Sequence, residues 1–307
     1  MLLSIPFNGA AYVREARMRR GHYLIVGLLG LTSLSFFADH LAGLEAGRGF
    51  DYYRYEAVLR RFVDDQGRVD YRLLRENREQ LDVFVKSLAD FPPRYYYRWP
   101  EADRIALWIN ASNAHVLQVV IDNYPIKPTA AGAGFPKNSI RQIGGALDGN
   151  PMVVMGSKMT VQGLVRHMRE QFGEPRVHFA LAPAALGGPP LRREPYTGAK
   201  LNEQLEQQAA LFLANPANFR IEAERKTVVL SAVFKELGGD FAGRHGTDSV
   251  FTRHNRNERA VLSFISCHVS PQESRYLVSG DYVVRYAEYD WRLNVQSGGT
   301  GTRQQFR

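Results

Sequence analysis

At 307 residues, 45% hydrophobic and 23% charged, the chain is long enough to bury a sizeable core and too apolar for disorder away from its ends. Its net charge of +8 is scattered and forms no basic stripe, so nucleic acid is not an expected partner. The single cysteine, Cys267, excludes an internal disulfide, a cysteine-based zinc site and a CxxC pair.

Tyr23 to Ala38 is an uncharged apolar run preceded by Arg14, Arg17, Arg19 and Arg20, the outline of an export signal. It is shorter than the roughly 20 residues that cross a bilayer squarely. Phe36-Phe37-Ala38 is a poor cleavage site, so a cleaved signal peptide and an uncleaved signal anchor both stay open, as do Met1 and Met18 as the start. With arginines on the N-terminal side, everything after residue 40 is expected outside the cytoplasm, in the periplasm or its equivalent, with the inner membrane as anchor if the run is retained. The expected organisation is a basic N-terminus with signal over 1–50, one globular domain over 51–296, and a Gly-, Thr- and Gln-rich tail over 297–307 with nothing to bury.

Within the domain, Tyr52 to Val63 has the apolar spacing of an amphipathic helix, ended by the turn Asp64-Asp65-Gln66-Gly67. Leu73, Leu74, Asn77, Leu81, Phe84, Val85 and Leu88 predict one further helix, stopped by Phe91-Pro92-Pro93. Arg94 to Trp99 is an aromatic and basic loop, read as a wall over the core or as a stacking platform. Pro100 suits a first helical position, and the helix behind it, Ile105 to Val120, is apolar almost all round and therefore central. Ala106, Asn110, Asn113 and Leu117 share one of its faces. Two buried carboxamides one turn apart require partners, in irregular backbone or in a site.

Gly132-Ala-Gly134 lacks the preceding strand that a phosphate cradle needs. Met152 to Val154 is expected as a strand, Gly156 to Lys158 as a turn, and Thr160 as the cap of a helix through Met168. Glu174 to Leu191 is the centre of the chain. It is read as a short buried strand, Val177 to Leu181, carrying His178 and dissolving into Pro, Gly and Ala. Beyond it come a helix at Leu201 to Phe212, a hairpin of Phe219–Glu222 with Thr227–Leu230, and a short helix from Ser231 to Leu237. A polar loop from Gly243 to Arg256, a helix to Cys267 and a last strand within Tyr282 to Tyr289 complete the pattern. Cys267 is expected to be buried and inert, and His268 beside it is a poor partner because successive helical residues diverge. The fold class is α+β, a single domain of helices packed around a small, mainly antiparallel sheet.

Five stretches together resemble the domain-of-unknown-function family 547. They are Asp65-Gln-Gly-Arg-Val-Asp-Tyr71, Leu107-Trp-Ile-Asn-Ala-Ser-Asn113, Pro175-Arg-Val-His-Phe-Ala-Leu181, Pro189-Pro-Leu191 and Tyr289-Asp-Trp-Arg-Leu-Asn294. The resemblance spans roughly residues 53 to 295, and bacterial members of that family often look exported. It implies cysteines where this chain has Pro183 and Gly188, a Glu-His pair where it has Val165-Arg166, and a Tyr where it has Ser112. If family members use a thiolate or a thiol-bound metal, this copy lacks the sulfur for either.

The expected function is therefore an exported or membrane-tethered domain that binds a small-molecule or protein ligand and catalyses nothing, a candidate pseudoenzyme. One alternative is a hydrolase or transferase working through His178 with an Asn or Asp partner. The other is an extracytoplasmic interaction scaffold built on the aromatic loop. Asn110, Asn113, His178, Asp290 and Trp291 are the candidate pocket residues, with His178 as the candidate catalyst. No metal site and no cofactor is expected, since no histidines have ligand spacing.

Overall fold

Residues 49–296 are described by the computed structural model; the apolar run Tyr23–Ala38 and the tail 297–307 lie outside the described residues. Helix α1 (Tyr53–Phe62) turns Tyr55, Val58, Leu59 and Phe62 inward. Gly67, at φ 73°, closes the turn that lets Val63 bridge Val69. The expected second helix is two: α2 (Tyr71–Glu76), capped by the Asp70 carboxylate, and α3 (Glu79–Asp90). Asn77 separates them because its amide donates to the Leu73 carbonyl (2.9 Å) and so competes with the backbone ladder. After the single turn α4 (Pro93–Tyr96), α5 (Glu101–Asp122) runs buried through the first core, with Pro100 at its N-cap, one position earlier than expected.

Strands β1 (Met152–Val154) and β2 (Ser157–Met159) form an antiparallel hairpin, so the expected turn at Gly156–Lys158 sits slightly earlier, at Met155-Gly156. Helix α6 (Val161–Phe172) starts at Thr160, whose hydroxyl accepts from Gly163 N, and ends at Gly173 in the left-handed region. The second half contains α7 (Leu201–Ala214), β3 (Phe219–Glu222), β4 (Thr227–Leu230), α8 (Ala232–Leu237), α9 (Ala242–His245), α10 (Arg256–Ser266), α11 (Pro271–Ser279) and β5 (Val283–Tyr286). The α+β class is as expected, with a refinement. Among the described residues there are two small sheets, and in the second β3 pairs β4 antiparallel while β4 pairs β5 parallel. A parallel pair needs a long crossover, which α8 to α11 supply. Among the described residues no helix is long and apolar enough to cross a membrane.

Two readings are corrected, and one helix that no sequence reading covered is added. Gly243–Arg256 is not simply a polar loop, because it begins inside α9 and buries Phe251 and His254. Helix α11 carries no strong apolar stripe, but its start is written in Ser270-Pro271 and Glu273, which form a capping box. Cys267 is exposed, because it stands just past the end of α10, where the buried stripe Val261, Phe264, Ile265 has already passed.

The described residues build two apolar clusters. One gathers α1 to α6; the other gathers the three-stranded sheet, α8, α10 and the C-terminal half of α7. Val177 and Ala180 belong to the first and Phe179 to the second, so the central stretch is the seam between them.

Candidate functional site

The seam is not a strand. Pro175–Phe179 is a 3-10 helix whose N-cap, Glu174, accepts from Arg176 N (3.0 Å). A five-residue apolar run does not distinguish strand from buried helix, and Pro175 fits a first helical turn, where its missing N–H is no loss. From there to Thr197 the backbone is largely irregular yet buried, and each polar group left behind needs a partner.

Carboxamides supply them. Asn113 of α5 donates to the Ala180 carbonyl (2.9 Å) and accepts from Ala182 N (2.9 Å). One turn earlier, Asn110 donates to the Tyr196 carbonyl (2.7 Å) and accepts from Tyr196 N (3.0 Å). Each side chain acts as a strand partner for a stretch that has none. From α7, Gln208 donates to the carbonyls of Phe179 and Pro190, and Gln204 to that of Pro195. Asn294 joins the C-terminal block to the N-terminal one, accepting from the Tyr71 hydroxyl (2.6 Å) and donating to the Gly67 carbonyl (3.1 Å). The resembling blocks thus touch one another. A Cβ on Gly67 would lie 2.5 Å from Pro190, and Ala185 bridges Leu293.

His178, 5% exposed, does not meet Asn110, Asn113 or Asp290. Its Nε2 lies 2.8 Å from the carboxylate of Asp240, which also receives Arg169 (3.2 Å). Burial alone would raise the Asp240 carboxyl, but the bonds from His178 and Arg169 outweigh it and hold the group below its ordinary range. Alongside, Glu174 receives Arg176 (2.8 Å) and Arg244 (2.8 Å), and its carboxyl is depressed in the same way against a burial effect of opposite sign. Arg176 continues to Glu206, and Glu206 to His268 (2.8 Å). This charged chain links α6, the seam, α7, α9 and the end of α10. Asp240 follows His178 by 62 positions inside a Gly-Gly-Asp turn, and no spacing rule marks the pair.

The remaining candidates lie elsewhere. Asp290 pairs with Arg292 (2.5 Å), and Trp291 packs against Phe135 and under Arg141. In the aromatic loop Tyr96 is buried and accepts from Trp108 Nε1 (2.8 Å), whereas Tyr97 is 71% exposed, so the loop is wall and surface at once. The two positions where the resemblance implies cysteine are neighbours: a Cβ on Gly188 would stand 2.7 Å from Cδ of Pro183 and 2.7 Å from the Tyr289 hydroxyl. The Pro183 ring occupies that space. Gly188→Ala is expected to destabilise the fold by about 1–3 kcal/mol through overpacking, and by less in a Pro183→Ala background. Urea denaturation of the four variants reads this, and equal losses in both backgrounds would contradict the contact.

A pH dependence follows from four buried or half-buried imidazoles. Burial lowers His115, His167, His245 and His254 below the ordinary histidine value, so the unfolded chain binds protons that the folded chain does not. Their contribution is complete above about pH 6.5 and is lost as pH falls below it. A second loss follows as pH falls from the ordinary carboxylate range, about 4, through the depressed values of Asp240 and Glu174. The urea midpoint should therefore drop in two stages on acidification; one that stays level from neutrality to about pH 5 would contradict the first stage.

Residues 96–213 match the model of a family described as "Protein of unknown function, DUF547", and the resemblance read from the motifs is borne out over that stretch. It contains both asparagines, the seam and the Pro183–Gly188 turn. No curated protein and no solved structure matches the chain.

Proposed function

We propose that this chain is a catalytically silent member of that family, an exported domain tethered by its N-terminal apolar run, which binds a ligand or partner and does not transform it. One observation carries the reading: the Pro183 ring lies against Gly188 where the resemblance implies two thiols, and neither residue can supply a nucleophile or a metal ligand. The imidazole of His178 and the amides of Asn110, Asn113 and Asn294 are taken up by contacts within the fold.

A second reading rests on the His178–Asp240 pair, since a carboxylate that orients an imidazole is half of a nucleophilic triad. The other half is a hydroxyl or thiol on the imidazole, and no such hydrogen bond exists among the described residues. Incubating the purified full chain with an aryl ester, an acyl thioester and a short peptide separates the two. The silent reading expects no turnover above that of His178→Ala; turnover abolished in that variant would establish the enzyme. For location, an export-dependent reporter fused after residue 50 should be active, and an inactive fusion that is nonetheless expressed would contradict export.

A further inference from the structure

We propose that the aromatic face formed by Phe50–Tyr53 and the loop Phe91–Trp99 rests on the lipid bilayer surface, with tyrosines and a tryptophan at headgroup level and Arg94 and Arg98 on anionic headgroups. The inference rests on the tethered reading and adds to it which side of the domain faces the membrane.

Its first support is continuity. Phe50 lies 5.2 Å from Phe91 and 5.5 Å from Tyr52, and Phe91 in turn lies 5.0 Å from Trp99 and 6.2 Å from Tyr95, ring centre to ring centre. The two segments, some 40 positions apart in the chain, thus form one aromatic surface. Tyr97, packed on Tyr96, is 71% exposed at its outer edge, and Tyr53, next to Tyr52 in the chain, is 74% exposed; they are the two most exposed large hydrophobic side chains among the described residues. Rings with an apolar body and a polar tip are the side chains that settle at a bilayer interface.

The second support is position. The apolar run ends at Ala38 and the described chain begins at Gly49, so residues 39–48 are all that separate them. Ten residues reach at most about 35 Å when fully extended. The first described residues, Gly49 and Phe50, adjoin this face, so the chain enters the described domain on that side.

The third is charge. Arg94 lies 4.9 Å over the Tyr95 ring and donates to its hydroxyl (3.2 Å), and neither Arg94 nor Arg98 makes an ion pair among the described residues. Of the nearby carboxylates, Asp90 is held by Lys86, and Asp51 accepts from Tyr53 N (2.9 Å). Glu101 sits in the first turn of α5, where the helix dipole favours it. The rings supply the attachment and the two arginines the preference for anionic lipid.

The test uses the full chain in vesicles of phosphatidylcholine and phosphatidylglycerol. A nitroxide is placed at Tyr97→Cys in a Cys267→Ser background, with Val278→Cys on α11 as the distant control. Expected is a label at 97 shielded from a water-soluble nickel chelate and open to oxygen, a label at 278 open to the chelate, and loss of shielding at 97 in Arg94→Glu/Arg98→Glu. Tyr53→Cys repeats the reading from the other segment. A chain that floats with the vesicles while both labels stay open to the chelate overturns this inference and leaves the tether standing. A chain that does not float overturns the tether and the inference together.

Discussion

Asn113→Ala is expected to lower the unfolding free energy by roughly 3–5 kcal/mol, since it strips partners from two buried backbone groups at about 1–3 kcal/mol each and opens a small cavity. The groups are the Ala180 carbonyl and the Ala182 amide, and the side chain that serves both is 3% exposed at the middle of α5. Neither group has a strand to fall back on, because the seam is irregular there. The measurement is the urea midpoint at unchanged slope. Asn113→Asp sharpens it. An aspartate keeps the acceptor for Ala182 but sets a buried carboxylate against the Ala180 carbonyl, so its loss should shrink on acidification as that carboxyl protonates. A loss below about 1 kcal/mol in Asn113→Ala would mean that water replaces the amide and that the clamp does not hold the seam.

Phe179→Ala is the second large effect, with an expected loss of roughly 3–5 kcal/mol. Phe179 is fully buried, stacks on Phe264 at 5.5 Å with planes 12° apart, and meets Phe212 at 5.0 Å and Phe234 at 5.8 Å. It is the ring by which the seam enters the second core, directly beside His178. The loss should be strongly non-additive with Phe264→Ala, because each removes the same stacked contact. Losses that simply sum, or a near-UV circular dichroism spectrum unchanged in the single variant, would contradict this placement.

Much of this was legible where local physics decides. The apolar spacing of α1, α5 and α7, the Thr160 cap and the β3–β4 hairpin are local signals, and each element forms where expected. The two asparagines announced a need for partners, and irregular backbone meets it. The seam was misread as a strand because a short apolar run fits a 3-10 turn equally well, and only its packing between two cores chooses. Cys267 was misplaced because its type is usually buried, whereas its position past the last inward turn of α10 decides. Asp240, as the partner of His178, was out of reach of any spacing rule: long-range pairing is a property of topology, and the crossover that delivers it was only partly visible.

His178 ties the seam to the Gly238–Phe241 turn through Asp240. A double-mutant cycle of His178→Ala and Asp240→Ala, followed by urea denaturation and by turnover on the same samples, tests that most directly. Expected are a stability coupling of about 1–3 kcal/mol between the two positions and no turnover in any of the four proteins. Additive stabilities, together with an activity that the wild type has and a fully folded His178→Ala lacks, would contradict it.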